Sequence, residues 1–393
     1  MMPSTQLFLR DRLTWLAYSM LAYIGFSQSI LGPLMPFLRS ELDLSYTLGG
    51  FLPATLAAGL IFSGLASDWL VRHASRRIVF WSGAVALSAS VVLLALSHRF
   101  ELALLAVLGM GVGSSLTQVM LQALLADHHA ERRAIALTEA NVAASLSTTV
   151  TPLVIGSLQA TGIGWRTVPF LVILFLTFIS LTFYRQPIPD KAVTQTQSAA
   201  HKGSLPVSFW LYWIVLFFVV AVEMSVVVWA TDFLDNVAGL SRTDAVLGYS
   251  AFPAAMLIGR IAGSRLTRTW PSLTLLLIAL SVTLVGFPLF WLARLPVLNI
   301  LGLFITGIGI ANHYPLTLSL AIGVAADQSN TASARASLGV GTALLSAPLF
   351  LGWLADRISL QIAYGMVLVL MITAFAIVIN NRWMSARRVT SQM

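Results

Sequence analysis

Twelve long apolar runs follow one another along this chain with short charged breaks between them, and that pattern leaves few folds open. A helix rises 1.5 Å per residue, so about 20 apolar residues cross the hydrocarbon core of a bilayer. The runs fall at 13–38, 46–67, 78–97, 102–126, 135–160, 166–184, 207–234, 244–264, 271–292, 297–325, 333–355 and 360–381. Lipid offers the backbone no hydrogen-bond partners, so segments of this kind span as helices. The expected fold is an all-α membrane protein with twelve transmembrane helices.

Composition agrees. The 393 residues are 58% hydrophobic and 10% charged, with mean hydropathy +0.85. Soluble chains carry about 25% charged residues, enough to solvate a surface; this one does not. The net charge of +8 reads as a topology signal on short loops and not as a nucleic-acid footprint. With no cysteine, disulfides, thiolate metal sites and cysteine nucleophiles are excluded. The first run is too long for a signal peptide's apolar region and lacks a small-residue cleavage site, so it reads as the first spanning helix.

Basic residues set the orientation. With the N-terminus on the cytoplasmic side, 17 of the 23 Lys and Arg residues lie there; Arg39, Arg99, Arg166, Arg242, Arg294 and Arg357 are the exceptions. The positive-inside rule therefore puts both termini in the cytoplasm, in a plasma or inner membrane. The one long polar stretch, RQPIPDKAVTQTQSAAHKGSLP at 185–206, has linker composition. It divides a first six-helix bundle, 1–184, from a second, 207–393.

The halves are related by a shift of 196 residues. Gly111 and Gly113 fall on Gly307 and Gly309, Phe37 and Leu38 on Phe233 and Leu234, Ala140 on Ala336, and Pro152 and Gly156 on Pro348 and Gly352. The shared Pro-x-x-x-Gly is the most specific of these. Two pseudo-symmetric six-helix bundles follow, an arrangement in which transporters place the substrate site at the repeat interface.

Three local patterns then resemble the major facilitator superfamily: GLASDWLVRHASRR from Gly64 to Arg77, a partial echo GRIAGSRLTR from Gly259 to Arg268, and PLFLGWLADR from Pro348 to Arg357. The first departs from the family's loop motif by extra residues before Arg76 and Arg77, and by Ser75 where glycine is expected. The resemblance implies the superfamily fold and alternating access, and names no substrate. Helix 7, AVEMSVVVWATDFL, more narrowly resembles the sugar–proton symporter branch that includes fucose permeases. Against drug–proton antiporters, the helix-5 glycine pattern is eroded to Pro152 and Gly156.

Glu223 is the sharpest chemical signal. It sits well inside helix 7, where an ionised carboxylate costs at least about 2.5–3.5 kcal/mol, so it must face a cavity, pair with a cation or carry a proton. It is the proton-coupling candidate; the alternative is a protonated acid making one interhelical hydrogen bond. Asp232 and Asp235 read as solvated residues at the outer mouth. Asn312, His313 and Tyr314 precede Pro315, which favours a kink, and read as a cavity wall. Tyr23, Gln28, Gln118, Gln122 and Asn141 are further cavity candidates, with interhelical amide bonding as the alternative for the amides. Trp229 is either a stacking surface for a substrate ring or an outer-belt aromatic. His128 and His129 read as solvated loop residues. No metal site or cofactor is expected, and no P-loop follows any glycine-rich turn.

Arg260 and Arg335 count as near the cytoplasmic helix ends, which leaves no mid-depth arginine for a polyanion. The resemblance places the loop-motif acid Asp68 against the start of helix 11, where Arg335 offers a partner, and the repeat suggests Glu139 with Arg260 or Arg265 as the mirror pair. These pairs, flanked by Arg76 and Arg77, are expected to hold the cytoplasmic face shut, each contributing about 1 kcal/mol. The chain therefore reads as a secondary active transporter, not an enzyme. It is expected to act as a monomer, working on a small-molecule substrate, with protons, in a lipid bilayer. The alternatives are a drug or metabolite exporter, and a receptor of transporter-like fold that moves no solute.

Overall fold

The computed structural model describes residues 9–129, 132–189, 204–325 and 328–390, and among these it is helical throughout, with no strand. Twelve helices are long and apolar enough to cross a membrane. We number them α1 (Arg12–Glu41), α2 (Tyr46–Ser67), α3 (Arg76–Leu96), α4 (Phe100–His129), α5 (Ile135–Ala160), α6 (Trp165–Phe183), α7 (Val207–Asn236), α8 (Arg242–Leu266), α9 (Ser272–Leu292), α10 (Pro296–Gly323), α11 (Thr331–Ile358) and α12 (Leu360–Asn381). An even number of crossings brings the start of α1 and the end of α12 to the same end of the bundle, here called the terminal end; the opposite end is distal. Most of the expected linker, 190–203, lies outside the described residues.

Local chemistry fixes the boundaries. Asp11 caps α1 by accepting from the Thr14 amide at 2.9 Å, and the Ser45 and Ser75 side chains cap α2 and α3 in the same way. Four spans are broken. Helical bonding lapses in α1 between Gln28 and Leu31, in α8 at Ser250, in α10 between Ile310 and His313, and in α12 at Tyr364. The α10 break, at Ala311 and Asn312, ends three residues before Pro315, which has no amide hydrogen to give.

The duplication read from the sequence is repeated in the packing. Gly111 of α4 lies so close to the Leu56 carbonyl of α2 that no side chain fits, and Gly307 of α10 meets the Phe252 carbonyl of α8 in the same way. Gly113 abuts the Gly83 carbonyl of α3, and Gly309 abuts the Ala279 carbonyl of α9. Both pairs of contacts map onto each other under the 196-residue shift, partner included. Small residues at such crossings let helices approach where no hydrophobic effect drives them together.

The Pro-x-x-x-Gly pairs lie where the halves meet. Gly156 of α5 packs on Leu247 of α8, and Gly352 of α11 packs on the Tyr46 carbonyl of α2. The halves also touch where Gly32 of α1 meets the Val227 carbonyl of α7.

Candidate functional site

Glu223 of α7 borders two cavities. The first, of about 380 Å³, is lined from α5 by Thr138, Asn141 and Ser145, from α8 by Arg260 and Ser264, and from α10 by Tyr314 and Pro315. The second, of about 370 Å³, lies between Gln28 and Ser29 of α1, Leu56 and Leu60 of α2, Thr148 of α5, Tyr249 of α8, and Leu344 and Pro348 of α11. Both are mostly apolar with a few polar groups, the usual character of a small-molecule site. In the second, the Gln28 amide nitrogen is buried without a hydrogen-bond partner. In the first, the Arg260 guanidinium donates across the halves to the Ser145 hydroxyl at 3.0 Å. Ordering by helix count placed Arg260 near a helix end, and it is six residues from the end of α8; what the count missed is that its side chain turns inward, into the cavity that holds Glu223.

The expected cavity residues divide. Gln28, Asn141 and Tyr314 line the two cavities. Tyr23 is fully buried instead, donating to the Ala84 carbonyl at 2.9 Å and paired with Ser88 at 2.7 Å, so it ties α1 to α3. Trp229 is likewise fully buried, its ring nitrogen donating to the Pro348 carbonyl at 3.0 Å, and so serves neither as a substrate platform nor as a belt residue. His313 faces α9, where its Nε2 lies 3.3 Å from the Thr283 hydroxyl. Asn312 donates to the Gly259 carbonyl at 2.8 Å and borders a separate space of about 100 Å³ between α8, α9 and α10. Helical rotation explains the split: His313 and Tyr314 are consecutive in the segment His313–Gly323 and therefore point about 100° apart. Gln118 and Gln122 of α4 line neither cavity, and Gln122 is exposed.

The distal end is closed by contacts between the halves. Arg39 Nη1 lies 2.6 Å from the Asp232 carboxylate, with the guanidinium 3.4 Å from the Tyr46 ring centroid. Asp232 is therefore a fully buried ion-pair partner and not a solvated mouth residue. Asp356, from the PLFLGWLADR segment, accepts from the Tyr46 and Thr47 amides at 2.8 and 2.7 Å, at the N-terminus of α2. A carboxylate there meets unpaired amides and the positive end of the helix dipole.

Among the described residues, the ion pairs at the terminal end stay within the first half. Glu139 accepts from Arg10 at 2.7 Å and from Tyr18 at 2.8 Å, so it does not engage the expected partners Arg260 and Arg265. Arg265 is exposed at the end of α8. Arg76 pairs with Asp127 at 2.7 Å, and Arg77 donates to the Tyr184 carbonyl. The Arg335 carbonyl accepts from Trp213 at 2.8 Å. The Asp68 side chain lies outside the described residues. His128 and His129 close α4 and are not loop residues: His128 pairs with Asp11 at 2.8 Å, and His129 with the Thr14 hydroxyl at 2.8 Å. Ligand atoms of Asp11, His128 and His129 all lie within 4.8 Å of one another. Burial acts to raise the Asp11 carboxyl, but hydrogen bonds from Thr14 and the neighbouring His128 outweigh it and hold the group below the usual carboxylate range.

Two halves with matched helix contacts, acid-lined cavities between their helices and closure at the distal end are consistent with an alternating-access carrier. A family model described as the Major Facilitator Superfamily matches residues 17–341. The chain belongs to that superfamily. An uncharacterized MFS-type transporter of Yersinia pestis is 24% identical over 375 residues, covering 93% of both chains. An uncharacterized transporter of Sinorhizobium fredii is 28% identical over 139 residues, covering 35% of this chain and 37% of that protein. Among solved structures, a bacterial homolog of the human lysosomal transporter Spinster, inward-facing and occupied, superposes with TM-score 0.72 at 16% identity, covering 95% of this chain and 97% of that one. A mutant of the nucleoside transporter NupG gives TM-score 0.74 at 12% identity, covering 93% and 99%. These similarities establish the fold of an integral, multi-pass membrane transporter.

Proposed function

We propose that this superfamily member is a secondary active transporter that couples movement of a small solute to protons, with Glu223 as the coupling acid. The observation that carries the reading is the position of Glu223, among the described residues the one ionisable side chain that borders both central cavities. An acid at such a place within a membrane span is functional by default, because leaving it there without a task is costly. In this reading both termini face the cytoplasm, the protein works as a monomer, and the closed distal end makes the described conformation inward-facing. The helix-7 likeness to sugar–proton symporters contributes through Glu223 alone, since Trp229 packs away from the cavities.

The test is solute flux in proteoliposomes with and without a pH gradient. Glu223→Gln mimics the protonated acid but has no proton to release. It should abolish gradient-driven accumulation while solute exchange persists. Unchanged accumulation in the variant ends the proposal.

A further inference from the structure

Arg260 is a guanidinium placed within a membrane span, and among the described residues it forms no ion pair. Its recorded polar contact is a single donation to Ser145, which uses one of its five N–H groups. Arg260 is exposed on the wall of the first cavity, so its remaining N–H groups stay open to an anion that enters there. Glu223 lines the same cavity. Tyr314 in the first cavity and Tyr249 in the second are the other titratable side chains that line the cavities with Glu223, and neither offers a cation or a carboxylate. His313 of α10 faces α9 instead.

Given the proton-coupled reading above, we propose that Arg260 anchors a small carboxylate-bearing solute, and that the solute and the ionised Glu223 compete for this one guanidinium. The planar fork of arginine matches a carboxylate with two parallel hydrogen bonds. A cavity of about 380 Å³ admits a small organic acid, with the Asn141 amide, the Ser264 hydroxyl and the Tyr314 hydroxyl along the wall to meet its remaining polar atoms. When Glu223 carries its charge, it holds the field of Arg260 and repels a second anion. A proton on Glu223 removes both effects. Proton and organic anion therefore favour each other's binding, which is the linkage a symporter needs. The net charge entering the cavity is zero, so the loaded carrier meets a smaller electrostatic barrier than the anion alone would.

The experiment is binding to the purified full chain, with lactate, pyruvate and benzoate as probes and lactamide and benzamide as matched neutral controls, at pH 5.5 and 7.5. These acids stay ionised at both pH values, so any pH dependence belongs to the protein. We expect the carboxylates to bind and the amides not to, with affinity at least about fivefold higher at the lower pH. Arg260→Gln should remove carboxylate binding, and Arg260→Lys should retain part of it. Glu223→Gln should bind the same acids with the pH dependence gone. Amides binding as well as acids, no carboxylate binding at all, unchanged binding in Arg260→Gln, or a persisting pH dependence in Glu223→Gln each overturns the inference. Melting profiles of the variants distinguish lost binding from lost fold. If a neutral solute accumulates with the pH gradient and needs Glu223, the coupling reading stands and this one falls. If carboxylates bind through Arg260 but their flux ignores the gradient, the reverse holds.

Discussion

The Arg39 guanidinium lies between two groups from different helices, the Asp232 carboxylate 2.6 Å away and the Tyr46 ring 3.4 Å from it. Arg39 and Tyr46 belong to the first half and Asp232 to the second, so this arrangement exists only while the distal end is closed. Removing one partner of a buried pair strands the other at a cost of about 3–5 kcal/mol. Opening hydrates the stranded cation, so the cost falls on the closed state. Asp232→Asn should shift the population toward distal opening, and spin-label distances across that end should lengthen. A distance distribution identical to that of the parent chain would show that the pair does not hold the closure.

The glycine contacts make a matched prediction. Gly111→Val and Gly307→Val each drive a side chain into a carbonyl of the neighbouring helix, and overpacking of this kind costs about 1–3 kcal/mol. Both should lower the melting temperature by similar amounts. Gly323→Ala, where an added Cβ meets nothing within 4 Å, should leave it nearly unchanged. Loss in one half and tolerance in the other would mean that the halves pack by different rules.

Because the chain has no cysteine, cavity walls can be mapped one residue at a time. Cysteine at Asn141 or Tyr314 should react with aqueous thiol reagents, since both line the first cavity. Cysteine at Tyr23 or His313 should be protected, both side chains being fully buried between helices. Fast modification at 313 would contradict the assignment of that face to α9.

Asp11 gives a pH dependence outside the membrane spans. Its carboxyl is held below the usual range in the folded state. The stabilisation is therefore complete above the unfolded value of about 3.9 and is lost as pH falls through the folded value. Acid below about pH 3.9 should loosen the start of α1. Asp11→Ala should remove the N-cap and cost about 1 kcal/mol, read as a lower melting temperature at pH 7 that converges with the parent toward pH 3. Parallel curves would remove the carboxylate from the account.

Much of the fold was legible in the sequence because a bilayer converts composition directly into length and count. The twelve spans and the 196-residue duplication needed only apolar runs and matched glycines. Faces were harder. Depth along a helix can be counted from its ends, but which neighbour each side of the helix meets depends on how the helices pack. His313 and Tyr314 lie at the same depth, and the turn of about 100° between consecutive helical residues sends one to α9 and the other to the cavity. Asp232 looked like a mouth residue because its partner, Arg39, is 193 positions away and had been counted among the exceptions to the charge bias. Arg260 was discounted for the same kind of reason: a long side chain carries its charge well away from its backbone position.

The even number of crossings has an engineering consequence. The start of α1, the end of α12 and the connection between Phe183 and Val207 all lie at one end of the molecule. A circular permutant that opens the chain in that connection and joins the present ends through a flexible tether would keep every helix crossing in its original direction. The order of the bundles in the gene would be reversed while the molecule in the bilayer stayed the same.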